Sequence, residues 1–376
     1  MSDSPTPAAS GQRIPTSTLL AAAQADGAVQ IPLLYIPLGD SAKVAIKVQV
    51  SVDGWNNGQP VTQFYEFDTG GKGFWLDSTT ISTSGVTSPG TVETLYTSGN
   101  YYSGPAAAAT VSFPGAVVPT GTGTPAITAE VGLITTFDQY PQGSMIQSTD
   151  PLVVVSRATG KQVYPKAASF PIFTECYGDF GASLNPTAGP PSLSNPTAGF
   201  PSLLSVLAQY LPTRSGLETG FIVSVPTGEG DTGWLILGVG SQLSALFTTV
   251  VTMNPGTPDS FTLPNGSTVP TYSEQVINAD VTLGKQNLPS LGICLDTGCP
   301  HVVLHGGTSL VITNAGQNMG PLTITVGATQ LMQTDTYATM PSPATPDGPG
   351  YINTGVQNFM PFQVLYNIAT GKLYLS

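Results

Sequence analysis

The sequence predicts an all-β protein, and three observations lead to that prediction. Of its 376 residues, 43 are glycine and 34 are proline, and only 9% are charged. Glycine and proline interrupt regular structure, so this composition favours short segments separated by turns. Apolar and polar residues alternate almost strictly through residues 43–52, which is the period of a half-buried strand. A chain of this length has enough apolar surface for one large domain or for two lobes.

Regular strands are predicted to begin only after the first 28 residues of the chain. Residues 1–28 are predicted to be a flexible tether, with a helical turn at residues 17–24. Strands are then expected at residues 29–36, 43–52 and 63–67.

A hairpin is predicted next, with arms at residues 92–96 and 107–113 and a long glycine-bounded tip at residues 97–104. The near-duplicate segments within residues 183–199 indicate an irregular surface loop, because no other part of the chain shares their period. The best helix candidate is residues 201–211, which a proline begins and another proline follows.

The C-terminal half again has the pattern of strands. A polar stretch at residues 252–271 interrupts them. The expected strands are residues 220–225, 234–238, 276–283, 322–326, 362–366 and 372–375.

The charge balance excludes some partners. The formal net charge is −12, and Lys and Arg together number ten, so the chain has no basic patch to meet nucleic-acid phosphates. No apolar run approaches the length of a membrane span. Few bases also mean little positive self-repulsion once carboxylates are protonated, so tolerance of acid is expected.

The tripeptide Asp-Thr-Gly occurs three times, and its context separates the copies. Asp68 and Asp296 each end an apolar strand, and an apolar segment follows each tripeptide. Asp231 instead follows a polar, glycine-containing turn, so a hairpin tip is predicted there.

A buried acid at a strand end is costly unless it is paired or hydrogen-bonded. The matching positions of Asp68 and Asp296 therefore suggest that the two carboxyls meet and share one proton. Such a pair can activate a water with one carboxylate while the other carboxyl protonates or polarises a carbonyl.

From about residue 29 to the end, the chain resembles the pepsin-like aspartic proteases, as a divergent, bacterial-type member without a prosegment. The resemblance implies a bilobal all-β fold with two β-barrel-like lobes and a cleft between them. It implies a flexible tether at residues 1–28, an N-terminal lobe at 29–235 and a C-terminal lobe at 236–376. The implied activity is endopeptidase cleavage at acidic pH, with no metal or organic cofactor.

The same resemblance assigns roles to individual residues. Asp68 and Asp296 resemble the catalytic pair that holds the attacking water. The residues that resemble the support of the site are Thr69, Gly70, Thr297, Gly298 and Trp75. Tyr96 resembles the tyrosine of a flap that closes over substrate, with Gly99 in the same flap and Trp75 as the tyrosine's partner.

Each lobe of the family also has an apolar-apolar-Gly element behind its catalytic loop. Residues 351–355 fit the C-terminal one by position, although Asn353 and Thr354 are polar where the family is apolar. For the N-terminal one, residues 172–178 and the pair Phe180-Gly181 compete.

Three departures from the family concern the predicted site. Gly71 and Cys299 stand where the family has Ser or Thr, whose hydroxyl hydrogen-bonds a catalytic carboxylate. Losing that bond disfavours ionisation of the acid. Glu66 stands two residues before Asp68, where an aliphatic residue is usual. Strand geometry puts it on the same face as Asp68, where a third acid would repel a second negative charge. The alternative that we favour is that Glu66 pairs with a nearby base or faces water.

Alternatives remain open at this stage. Cys294, Cys299, His301 and His305 lie close together in the sequence and could ligate zinc, form a disulfide or provide a Cys–His nucleophile. The main rival function is a catalytically impaired pepsin-like protein that acts as a peptide- or protein-binding module.

The expected partner is a peptide or protein substrate in an extended conformation, bound by a monomer. Three cysteines cannot all pair within one chain, which leaves the compartment open. An exported location, with the signal absent from this chain, is favoured slightly over a cytoplasmic one. Because Arg13 is the only base before the first strand, no self-inhibiting prosegment is expected.

Overall fold

The computed structural model describes residues 13–37, 44–53, 59–81, 86, 90–119, 126–149, 151–170, 175–185, 217–262, 266, 268–346 and 348–376. The helix predicted at residues 201–211 and most of the predicted loop at 183–199 lie outside these residues. Within them, no helix is long and apolar enough to span a membrane.

The described residues form an almost entirely β structure, as predicted. Its two α-helices are α1 (Thr16–Asp26) and α2 (Ser241–Ser244), and a 3₁₀ helix covers Val356–Phe359. The strands are β1 (Val29–Pro37), β2 (Val44–Asp53), β3 (Val61–Asp68), β4 (Phe74–Asp77), β5 (Thr91–Leu95), β6 (Asn100–Ser112), β7 (Ala126–Ile134), β8 (Thr136–Gln139), β9 (Ser144–Thr149), β10 (Leu152–Ser156), β11 (Lys166–Ala167), β12 (Cys176–Gly181), β13 (Glu218–Ser224), β14 (Thr232–Val239), β15 (Thr249–Thr252), β16 (Pro255–Thr262), β17 (Thr268–Tyr272), β18 (Ile277–Leu283), β19 (Gln286–Cys294), β20 (Val303–His305), β21 (Leu322–Val326), β22 (Thr329–Thr334), β23 (Ala338–Met340), β24 (Tyr351–Asn353), β25 (Val364–Asn367) and β26 (Lys372–Leu375).

Two large sheets organise these strands. The first runs in the order β11-β8-β6-β7-β4-β12-β3-β2-β1-β14-β13-β25-β26-β15, with β5 paired to β6. The second runs β22-β21-β18-β19-β24-β20-β23. The C-terminal strands β25 and β26 therefore join the sheet that contains Asp68, while Asp296 follows a strand of the other sheet. Strand β14 crosses the predicted lobe boundary at residues 235 and 236, and that boundary remains a prediction.

The α1 helix is longer than the predicted helical turn. Its Leu19 and Ala23 are buried in an apolar cluster that includes Ile236 and Leu365. The Asp26 carboxylate accepts backbone N–H bonds at the start of α2. Residues 13–26 are therefore packed onto the body of the protein. Residues 1–12 of the predicted tether lie outside the described residues, and its boundary at residue 28 stays a prediction.

The predicted hairpin is formed by β5 and β6, but its tip is much shorter than predicted. The turn is closed by hydrogen bonds between Tyr96 and its neighbours Gly99 and Asn100. Residues predicted as the rest of the tip extend β6, where Tyr101 and Tyr102 pair with β5 on one side and β8 on the other. Pairing on both sides explains why these residues form a strand, and the local sequence does not show it.

Candidate active site

Asp68 is the last residue of β3, which forms a group of four strands with β12, β4 and β7. Strand β12 runs parallel to β3, pairs antiparallel with β4, and β4 in turn runs parallel to β7. Of the two candidates for the N-terminal element behind the catalytic loop, the structure selects the one that contains Phe180 and Gly181. Backbone bonds from Gly181 to Gly73 and from Ala182 to Asp68 hold that element against the loop.

The C-terminal half repeats this arrangement around Asp296. Strand β24 runs parallel to β19, pairs antiparallel with β20, and β20 runs parallel to β23. Thr354 donates its N–H to the carbonyl of Cys294, 2.9 Å away. Two elements with the same strand pattern thus present one aspartate each.

The structure brings the two predicted aspartates together. Both residues line a cleft of about 1060 Å³, and each carboxyl lies against the glycine of the opposite tripeptide. Gly70 N–H donates to Asp68 Oδ1 at 2.7 Å, and Gly298 N–H donates to Asp296 Oδ1 at 2.9 Å.

The close approach of the two loops requires their glycines. A Cβ added to Gly70 would lie 2.5 Å from the carboxyl carbon of Asp296, and one added to Gly298 would lie 2.3 Å from that of Asp68. Each glycine of the tripeptide therefore makes room for the opposite aspartate.

Thr69 and Thr297 connect the two loops through reciprocal hydrogen bonds. Each backbone N–H donates to the other threonine's Oγ1, at 3.0 Å and 2.9 Å. Thr69 Oγ1 donates to the carbonyl of Leu295, and Thr297 Oγ1 donates to that of Phe67, both at 2.7 Å. All four bonds are buried, so they fix the two aspartates relative to each other.

The expectation for Glu66 is wrong, because its side chain is buried and does not face water. Lys47 lies opposite Glu66 in the sheet, but its ammonium is 2.5 Å from Glu175 instead. Glu66 is only 7% exposed. Burial raises its pKa well above the usual range, and the nearby Asp179 and Asp296 raise it further.

A fourth acid, Asp179, was not identified from the sequence. It lies opposite Glu66 in the parallel pairing of β12 with β3 and is 2% exposed. Burial raises its pKa to about 7, the Tyr96 hydroxyl lowers it, and the charge of Asp296 raises it. Burial, Asp296, Asp179 and Glu66 in turn raise the pKa of Asp68 well above its usual range.

Asn353 is a second residue whose role the sequence did not show. Its Nδ2 donates to Asp296 Oδ2 at 2.5 Å, and its Oδ1 accepts the N–H of Gly355 at 2.9 Å. Cys299 N–H also donates to Asp296, at 3.1 Å. The sequence did carry one sign of this role, because Asn353 is polar where the resemblance implies an apolar residue.

The predicted flap residue Tyr96 lines the cleft. Tyr96 packs against an apolar cluster that contains Trp75, but its hydroxyl donates to Asp179 Oδ2. The Trp75 indole N–H donates to the carbonyl of Lys72 at 2.9 Å. Gly99 closes the flap turn through its N–H bond to the carbonyl of Tyr96.

The alternatives that involve cysteine and histidine receive no support. All three cysteines are free, and the described residues contain no cluster of His, Cys, Asp and Glu that could hold a metal ion. His305 is stacked on Tyr351 with ring centroids 4.1 Å apart. Burial, followed by the charge of Asp296, raises the pKa of both the Cys294 and Cys299 thiols, which disfavours a thiolate nucleophile.

The third Asp-Thr-Gly lies in a turn, as predicted. Asp231 is exposed, its N–H donates to the carbonyl of Gly228, and its carboxylate accepts the Thr227 hydroxyl at 2.7 Å. It is the last residue before β14 and does not line the cleft.

Comparison with known proteins supports the fold. No family model and no curated protein matches the sequence. Among solved structures, the chain is similar to the aspartic proteinase from Irpex lacteus, with a TM-score of 0.53 and 14% sequence identity over 93% of this chain and 96% of that one. The architecture is therefore the bilobal pepsin-like aspartic protease fold that the sequence predicted, and at this identity the likeness concerns the fold alone.

Proposed function

We propose that this protein is an aspartic endopeptidase that hydrolyses peptide bonds with Asp68 and Asp296. One observation supports the proposal above all others. The two carboxyls lie at a cleft of about 1060 Å³, each against the glycine of the opposite tripeptide, and reciprocal threonine contacts hold them there. Two acids in such contact hold a single negative charge over a range of pH, which is the state that acid-base hydrolysis needs.

The hydrogen bonds favour a distinct role for each acid. Asp296 accepts three N–H bonds, from Gly298, Cys299 and Asn353, and these stabilise its ionised form. Asp68, whose pKa is raised, retains the shared proton. The Asp296 carboxylate then takes a proton from a water whose oxygen attacks the scissile carbonyl carbon, while Asp68 protonates the carbonyl oxygen. Asp296 then passes this proton to the amide nitrogen, and the C–N bond breaks.

The cleft and the flap support an extended peptide as the substrate. The cleft is lined by flap residues Leu95 and Tyr96 and, among others, by Gly292 and Met340 of the C-terminal half. Acidic working pH is part of the proposal, because three buried acids with raised pKa values make additional negative charge costly. Action as a monomer is also proposed.

Polar residues at unusual positions support the proposal that the chain is a divergent member of the group. They are Glu66, Asp179 and Asn353, all buried next to the two aspartates. A bacterial-type origin stays a prediction from the sequence.

The second candidate is a binding module without catalysis, and the same acid cluster favours it. Gly71 has no hydroxyl to support Asp68, and Glu66 and Asp179 oppose the negative charge that the catalytic pair must carry. A site that never ionises would still bind an extended peptide.

Cleavage and binding assays with an undefined peptide library separate the two candidates. The folded protein is incubated with the library from strongly acidic to neutral pH, with and without a statine-type transition-state analogue. The endopeptidase proposal expects inhibitor-sensitive cleavage that falls by a factor on the order of 10⁴ in Asp68→Asn and in Asp296→Asn. Asp231→Asn, in the third tripeptide, is the matched control and keeps full activity. Peptide binding by calorimetry without cleavage at any pH would establish the binding module instead.

A further inference from the structure

The position after each catalytic Asp-Thr-Gly lacks a hydroxyl, and in the C-terminal half another side chain provides the hydrogen bond. Asn353 is the last residue of β24, lies opposite Cys294, and precedes Gly355 by two residues. From there its Nδ2 donates to Asp296 Oδ2 at 2.5 Å. A side chain at this place in the fold can therefore support the catalytic carboxyl directly.

Asp179 occupies the same place in the N-terminal half. It lies on β12, opposite Glu66, which precedes Asp68 by two residues just as Cys294 precedes Asp296. It also precedes a glycine, Gly181, by two residues. The two halves therefore have Asp179 and Asn353 as structural counterparts beside their respective aspartates.

The surroundings of Gly71 show how close Asp179 lies to Asp68. A Cβ added to Gly71 would be 2.7 Å from Asp68 Oδ2 and 2.9 Å from Asp179 Oδ2. The two carboxyl oxygens thus flank the place where a serine or threonine side chain would stand. Asp179 Oδ2 therefore lies on the side of Gly71 from which a hydroxyl at this position would reach Asp68.

We propose that Asp179 is a positioning residue of the site, which in its neutral form donates a hydrogen bond to Asp68 and anchors the flap through Tyr96. This inference rests on the proposed function and deepens it. A neutral carboxyl has one O–H donor and keeps acceptor capacity, so it can serve Asp68 and accept the Tyr96 hydroxyl together. An ionised Asp179 has no proton to donate and repels the charge of the catalytic pair.

The charges around Asp179 favour its neutral form below neutral pH. The groups that face it are acids, phenols and a thiol, namely Glu66, Asp68, Asp296, Tyr96, Tyr102 and Cys176. Two bases of this region are engaged elsewhere: Lys47, opposite Glu66 in the sheet, with Glu175, and Lys72, next to Gly71, with Glu274. Asp179 Oδ1 is buried and has no hydrogen-bond partner, which is tolerable for a neutral carboxyl and costly for a carboxylate.

Two substitutions separate hydrogen-bond donation from simple packing. Asp179→Asn keeps a donor of the same size, and Asp179→Leu fills the space without one. The acidic limb of the kcat/KM profile reports ionisation of the catalytic pair. Because a hydrogen bond to a charged group stabilises it substantially, we expect this limb in Asp179→Leu to lie about one to two pH units above that in Asp179→Asn. We also expect kcat to be roughly ten- to hundred-fold higher in Asp179→Asn than in Asp179→Leu.

A titration by carboxyl ¹³C NMR tests the inference without any activity. The Asp68 signal is assigned by its loss in Asp68→Asn, and its apparent pKa is measured in the wild type and both Asp179 variants. An apparent pKa of Asp68 at least one unit higher in Asp179→Leu than in Asp179→Asn supports the inference. Equal values in the two variants overturn it, whatever the activity. Absence of cleavage by the wild type would refute the proposed function while leaving this titration decisive.

Asp77→Asn is the matched control. Asp77 is also buried, and its carboxylate accepts hydrogen bonds from Thr79 rather than facing the cleft. The Asp77→Asn substitution should leave the acidic limb of kcat/KM and the apparent pKa of Asp68 unchanged. A shift in this control as large as that in Asp179→Leu would assign the effect to general destabilisation and overturn the inference.

Discussion

Thr69 and Thr297 each donate a backbone N–H to the other's hydroxyl oxygen across the junction of the two catalytic loops. The Thr69 hydroxyl donates to the carbonyl of Leu295, and the Thr297 hydroxyl donates to that of Phe67. Leu295 and Phe67 each directly precede the aspartate of the opposite loop. The two halves of the site therefore share one closed hydrogen-bond network. Any change in the distance between the aspartates must break part of it.

Thr297→Val is expected to lower the free energy of unfolding by about 2–4 kcal/mol. The substitution preserves shape but leaves the Thr69 N–H and the Phe67 carbonyl without partners in a buried place, and each such group costs about 1–3 kcal/mol. Denaturant unfolding measures the effect. Thr232→Val, at the exposed threonine of the third tripeptide, is the control and should change stability by less than about 0.5 kcal/mol. Equal losses in the two variants would contradict the prediction.

The sequence predicted that Asp68 and Asp296 lie together because they share a context that spans only a few residues. A strand, a glycine turn and a second apolar segment are all local features, and local features are visible in a sequence. The same holds for Asp231, whose polar turn separated it correctly from the other two copies.

The sequence did not show which residues lie beside Asp68 and Asp296, because strand register determines them. Asp179 reaches Glu66 and Tyr96 through a parallel pairing and a flap contact that are distant in sequence. Glu66 was expected near a base or water, and its register does place it opposite Lys47, but that ammonium bonds to Glu175. The short flap tip likewise follows from the additional pairing of β6 with β8, which no local pattern shows.

Stability is expected to fall as pH rises from about 4 to about 7. The folded-state pKa of Asp179 is about 7, whereas its ordinary value is 3.8. Between these values the folded protein binds more protons than the unfolded chain, so the free energy of unfolding decreases with pH. Each such group contributes up to about 1.4 kcal/mol per pH unit. Glu66 and Asp68, whose pKa values are also raised, act in the same direction.

Denaturant unfolding at several pH values checks this prediction in the wild type and in Asp179→Asn. The variant lacks the titrating group, so its stability should depend less steeply on pH across that window. The difference between the two curves reports the contribution of Asp179 together with its effect on the titrations of Glu66 and Asp68. Parallel curves for the two proteins would show that Asp179 titrates normally in the folded state.

Asn353→Leu should weaken the ionised state of Asp296. The substitution removes the Nδ2 donor 2.5 Å from Asp296 Oδ2, in a buried position where water does not replace it readily. We expect the acidic limb of kcat/KM to move up by about one pH unit and kcat to fall roughly ten-fold. Asn358→Leu, at a second buried asparagine whose side chain makes no hydrogen bond, is the control and should not move the acidic limb. An unchanged limb in Asn353→Leu would show that the backbone donors of Gly298 and Cys299 suffice.

Gly71→Ser restores the residue type that the family resemblance implies, yet it is expected to impair this protein. Its Cβ would lie 2.7 Å and 2.9 Å from the carboxyl oxygens of Asp68 and Asp179, so one of the carboxyls must move. Overpacking of this kind typically costs about 1–3 kcal/mol. Replacing Asp179 by alanine removes its carboxyl, and with it one of the two close contacts. The hydroxyl of the new serine then lies beside Asp68. The double variant Gly71→Ser/Asp179→Ala should therefore be more active than either single variant, and a double-mutant cycle measures the coupling. Strictly additive losses would show that the serine and Asp179 do not compete for the same place.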